Sequence, residues 1–171
     1  MALKTILGLL KKEFSVPIII VQHTGPNAGD YMARYLDSLS ALRVKEADEK
    51  EKLTPGSAYI APPNYHLLVE SDETLSLSLD NRVNYSRPSI DVLFESAADA
   101  YGAGLIAIVL TGANQDGASG LRAVAEAGGV TIVQVPDGAF APAMPEAAIQ
   151  MCPNARVLPL APLAVPAGLL G

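Results

Sequence analysis

A chain of 171 residues, half of them hydrophobic and 18% charged, has the length and apolar content of one packed domain and not of a disordered segment. A formal net charge of −6 argues against nucleic acid or an anionic lipid surface as partner. No apolar run reaches the roughly 20 residues of a membrane span, the opening stretch lacks the features of a signal peptide, and the single Cys152 excludes an internal disulfide and a multi-cysteine metal site. A cytoplasmic protein is expected, with Cys152 a packed thiol.

Residues 2–12 set Leu3, Ile6, Leu7 and Leu10 on one helical face. "PIIIVQ" follows as a fully buried strand, and "GDYMARYLDSLS" carries Tyr31, Met32, Tyr35, Leu36 and Leu39 at helical spacing. "RVKEAD" is a short strand, and the charged stretch Glu46 to Lys52 is a solvated loop. "TPGSAYIAPP" gives a Pro-Gly turn and a strand; "HLLVE" and "TLSLSL" form a hairpin.

Pro88 and Ser89 open a helix that buries Ile90, Leu93, Phe94 and Ala97. "LIAIVL" is a second fully buried strand. "DGASGLRAVAEAGG" is a helix closed by a left-handed glycine cap, "VTIVQ" a third buried strand, "MPEAAIQM" a short helix and "ARVLPL" a last strand. The tail "APLAVPAGLLG" packs loosely or begins a further element. Buried strands alternating with helices specify a doubly wound, mostly parallel α/β sheet, with an antiparallel hairpin inserted near residues 58–80.

In such sheets ligands bind beyond the carboxyl ends of the strands. His23 and Thr24 follow the first buried strand; "TGANQDG" follows the second and delivers Asp116; Gln134 and Asp137 follow the third. A histidine and an aspartate on neighbouring strands form a base and its orienter, the carboxylate taking Nδ1–H and leaving Nε2 for a nucleophile's proton. From position alone, His23 equally suits an ordinary strand-end histidine, and Asp116 a cap for the helix that follows. Thr111, Gly112 and Gly117 suit a turn, His66 a structural role, and Arg87 with Asp91 a helical i,i+4 pair. Two histidines without H-E-x-x-H spacing fall short of a metal site. No cofactor is implied.

The ordered blocks "PIIIVQH", "VKEADEKEKLTPGSAYIAPPNYHLLVE", "RPSIDVLFESAA", "IAIVLTGANQDGASGLRAVAEAGGVTIVQ" and "APAMPEAAI" resemble the catalytic domain of the chemotaxis protein-glutamate methylesterases (CheB type), over about residues 2–160. The resemblance implies a doubly wound α/β fold and a Ser-His-Asp triad. It also implies hydrolysis of glutamyl methyl esters on the cytoplasmic helices of chemoreceptors, with glutamine deamidation in some members. The family's histidine falls on His23 and its aspartate on Asp116. Many members carry an N-terminal receiver domain; residues 1–171 are read as a single stand-alone catalytic domain without one.

Two positions depart from the pattern. Ala113 in "TGAN" stands where many members have the methionine of "TGMG", a change that a backbone oxyanion donor tolerates. The family's serine lies on a G-x-S-x-G-G turn followed shortly by Ala-Leu, which matches Ala2 and Leu3, so the serine falls just before Met1. Ser15, Ser119 and Thr24 do not substitute for it. The chain is therefore expected to be N-terminally incomplete and inactive in itself, while the intact protein is a serine methylesterase. The alternative is a catalytically inactive receptor-binding pseudo-enzyme.

Overall fold

The computed structural model describes residues 2–25, 27 and 29–160. In chain order the elements are α1 (Ala2–Leu9), β1 (Ile18–Ile20), α2 (Tyr31–Asp37), β2 (Arg43–Glu46), β3 (Ser57–Ile60), β4 (His66–Val69), β5 (Leu75–Ser78) and α3 (Ile90–Tyr101). A 3₁₀ turn at Gly102–Gly104 leads to β6 (Ile106–Val109), α4 (Ala118–Glu126), β7 (Val130–Gln134), α5 (Ala143–Met151) and β8 (Arg156–Leu158). The expected helices and strands are present in order, most with shorter ends, whereas α5 begins one residue earlier, at Ala143, and β7 keeps its expected bounds; the tail 161–171 lies outside the described residues. No helix among the described residues is long and apolar enough to cross a membrane.

The parallel strands form two three-stranded sheets, β1-β3-β2 and β6-β7-β8, and β4-β5 is the antiparallel hairpin. Side-chain alternation assigns the faces of the first sheet. Ile18, Ile20, Val44, Ala58 and Ile60 pack under Leu3 and Leu7 of α1 and Leu36 of α2. The opposite face, with Ile19, Tyr59 and Ala61, meets the hairpin's Leu67, Val69 and Leu75 and α3's Leu93 and Ala97. In the second sheet, Ala107, Val109 and Val133 pack against Leu121 and Val124 of α4 and Met144 and Ala148 of α5. Cys152 is buried there, its thiol 3.7 Å from Thr131 Oγ1, as expected of a packed thiol.

Two expectations need correction. β1 and β6 are not fully buried: Ile18, Ile19, Ile106 and Ile108 are each half-buried, whereas β3 is buried throughout and β7 from Thr131 onward. Among the described residues β1 and β6 each border one strand, so their side chains are covered from fewer directions than those of the central β3 and β7. The charged stretch 46–52 is also more than a solvated loop. Its backbone exchanges hydrogen bonds with β5, Lys50 N–H to Leu75 O and Leu75 N–H to Glu51 O, both 2.8 Å. Glu49 Oε2 accepts Leu77 N–H at 2.7 Å, and Lys45 holds Glu51 at 2.7 Å. The loop satisfies backbone groups along the outer edge of β5 that a free edge strand would expose.

Candidate active site

The site grows from the contact between α3 and α4. Gly120 permits that contact: a Cβ there would stand 2.7 Å from Phe94 Cβ and 2.9 Å from Asp91 Cα. Asp91 lies in the first turn of α3, and Asp116 two residues ahead of α4. Each carboxylate serves the other's helix. Asp116 Oδ2 accepts Ile90 N–H at 2.7 Å and its Oδ1 accepts Asp91 N–H at 3.2 Å. Asp91 Oδ1 accepts Gly117 N–H at 3.0 Å and Gly120 N–H at 2.7 Å. Orphan N–H groups at helix starts favour a negative partner, and here the two helices exchange them. Asp116 thus caps a helix, but α3 and not the one that follows it.

Both carboxylates are buried, Asp116 completely. Asn84 bridges them, its Nδ2 donating to Asp91 Oδ2 at 2.8 Å and Asp116 Oδ1 at 3.3 Å. Asn84 and Tyr85 are the central pair of a tight turn from Val83 to Ser86, with φ 49° and 61°, a conformation asparagine adopts readily and tyrosine does not. Ser89 Oγ–H donates to Asp116 Oδ1 at 2.7 Å. Ser89 N–H in turn donates to Nδ1 of the buried His66, whose Nε2–H reaches Asn81 O at 3.0 Å. Both His66 nitrogens are therefore engaged by backbone, in keeping with a structural role.

Burial alone would raise the pKa of Asp116, but donation from His23, from Ser89 and from Ile90 and Asp91 N–H holds it below the ordinary carboxylate value. Asp91 moves the other way. Burial pushes it up, against the Gly120 N–H, and the neighbouring Asp116 charge adds to the rise, against Asn84 and Gly117 N–H. Two buried carboxylates side by side are driven apart in acidity.

His23, just past β1, has a ring 27% exposed and donates Nε2–H to Asp116 Oδ2 at 2.7 Å. The expected pair is formed across 93 positions of sequence, with one correction: Nε2 faces the carboxylate, and Nδ1 is left without a hydrogen-bond partner among the described residues. The two residues do not follow neighbouring strands of one sheet either: β1 and β6 lie in separate sheets.

The remaining candidates separate cleanly. Gln134 is buried and its Oε1 accepts Thr111 N–H at 3.0 Å, while Thr111 Oγ1 donates to Ala141 O at 3.0 Å, tying together the loops after β6 and β7. Gly112 joins the same turn through its N–H to Ala141 O, and Gly117 takes φ +95° ahead of α4. Asp137 is exposed. The Arg87–Asp91 pair does not form: Arg87 donates to Leu79 O, Asp80 O and Asn64 Oδ1. Sequence reasoning missed Asn84 and Asp91 as members of the site, and took Ser89 only as a helix start.

The family model described as CheB methylesterase matches residues 1–165. A Leptospira interrogans relative, provisionally named protein-glutamate methylesterase/protein-glutamine glutaminase, is 49% identical over 163 residues, covering 95% of this chain and 84% of its own length. Protein-glutamate methylesterase FrzG of Myxococcus xanthus is 36% identical over 159 residues, 93% of this chain and 47% of its own. The crystal structure of the Thermotoga maritima CheB methylesterase catalytic domain superimposes with a TM-score of 0.94 at 33% identity, over 99% of this chain and 92% of that one. Likeness of that extent, in sequence and in fold alike, means that the chain belongs to the CheB methylesterase family.

Proposed function

We propose that this protein is a protein-glutamate methylesterase that hydrolyses glutamyl methyl esters, and deamidates glutamine, on the cytoplasmic helices of chemoreceptors, with His23 as general base and Asp116 as its orienter. The single observation that carries the roles is the 2.7 Å contact between the His23 ring and a fully buried carboxylate held below its ordinary pKa. An ionised Asp116 fixes the Nε2–H tautomer and leaves the Nδ1 lone pair free.

In the reaction, His23 Nδ1 takes the proton of a serine hydroxyl as its oxygen attacks the ester carbonyl. The resulting imidazolium, steadied by Asp116, gives that proton to the departing methanol, or to ammonia from glutamine. A water then repeats the sequence on the acyl-enzyme, freeing the glutamate and restoring the serine. The family resemblance supplies the serine, which its pattern sets ahead of the Ala-Leu pair matched here by Ala2 and Leu3.

The test is methanol release from methylated receptor by the full-length protein. Asp116→Asn is expected to lower turnover on the order of 10⁴-fold, and His23→Ala at least as much. Undiminished turnover in His23→Ala overturns the assignment. Capture of receptor with no hydrolysis by the wild-type protein would favour the binding-module reading.

A further inference from the structure

A cleft of about 110 Å³ opens beside His23, between Thr24 and the loop carrying Arg82, Tyr85, Ser86 and Arg87. Its two arginines are answered by no carboxylate. Arg87 Nη1 donates to the carbonyls of Leu79 at 2.7 Å and Asp80 at 3.0 Å, and Nη2 to Asn64 Oδ1 at 2.9 Å. Its Nε is buried without an acceptor. Arg82 Nη1 reaches the Tyr85 carbonyl at 3.5 Å. All these acceptors are neutral, and neither arginine forms an ion pair among the described residues.

That arrangement is unexpected in this chain. It carries 18 acidic residues against 12 lysines and arginines, yet two arginines without an ion-pair partner among the described residues line the cleft next to the candidate base. Guanidinium is the group best suited to a carboxylate, and a positive cleft in an acidic protein concentrates anions locally.

We propose that this cleft is a carboxylate subsite, in which the exposed Arg82 holds an ionised glutamyl or aspartyl side chain of the substrate next to the scissile ester, with the charge of Arg87, fixed by its own acceptors, behind it. The proposal rests on the esterase reading for the identity of the substrate. Ester hydrolysis and deamidation both yield glutamate, so a partly processed helix presents free carboxylates beside its remaining esters. On one helix face, side chains three or four positions apart lie about 5–6 Å from each other, so a free carboxylate and a remaining ester are near neighbours there. A finished position then helps to seat the next one, and hydrolysis runs faster on a segment already begun.

Binding and turnover test this separately. Two helical peptides, identical except for Glu or Gln beside the reactive position, are titrated calorimetrically into the full-length protein. The Glu peptide is expected to bind about 5- to 10-fold tighter at low salt, an advantage that shrinks at high ionic strength. Arg82→Gln, at an exposed position, is expected to remove most of it, and the kcat/KM ratio for the two methyl esters is expected to fall in the same variant. Equal binding of the two peptides, or a preference untouched in Arg82→Gln, overturns the subsite. A Glu preference without any hydrolysis supports the subsite and removes the esterase reading. Hydrolysis with no Glu preference removes the subsite alone.

Discussion

Asp116 receives five donors: His23 Nε2, Ser89 Oγ, Asn84 Nδ2 and the N–H groups of Ile90 and Asp91. Its depressed pKa and the raised pKa of Asp91 give opposite linkage to pH. The Asp116 contribution to stability is present above the unfolded carboxylate value of about 3.9 and is lost as pH falls through the lower folded value. Asp91 contributes stability below the unfolded value, lost as pH rises through its higher folded value. Urea unfolding across this range should therefore show Asp91→Asn gaining on wild type with rising pH, and Asp116→Asn losing on it. Parallel trends in the two variants would refute the division. At this scale the His23–Asp116 pair was legible, because both residues follow apolar strands. The ring nitrogen was not, since it depends on the distance between partners. Asp91 was hidden because the N–H groups it accepts, from Gly117 and Gly120, lie 26 and 29 positions away and carry no signal in its neighbours.

Helix α4 shows how contact overrides propensity. Replacing a helix-interior glycine by alanine ordinarily gains roughly 0.5–1 kcal/mol. At Gly120 the added Cβ meets Asp91 Cα and O at 2.9 and 3.0 Å, backbone atoms that move only with α3 itself. Gly120→Ala is expected to destabilise by about 1–3 kcal/mol, the range for overpacking, read as a lower urea midpoint. A stabilised variant would show that α3 and α4 do not meet as described. Element types were readable from spacing, and the left-handed end of α4 from its glycine pair, where Gly128 takes φ +85°. The half-burial of β1 and β6 was not readable. An apolar run looks the same whether one strand or two lie beside it, and periodicity says nothing about neighbours.

Among the described residues, two parallel sheets are joined by helices and by the hydrogen-bonded side chains of His23 and Asp116. Amide exchange on the 171-residue chain is expected to be slowest in β3 and β7, which are bordered on both sides, and faster in β1 and β6. Uniform protection over all four strands would contradict that ordering. The alternation of strands and helices announced the fold class; the reciprocal tie between Asp91 and Asp116, which seats the candidate site, belongs to the assembled object and to no single segment. That tie has a bearing on how relatives of this protein are sorted. A descendant that abandoned chemistry would still need the aspartate to hold two helix starts together, so its retention in a homologue is no mark of a working enzyme. The half-exposed imidazole has no such second duty, and its loss or survival is what would tell a hydrolase from a silent copy.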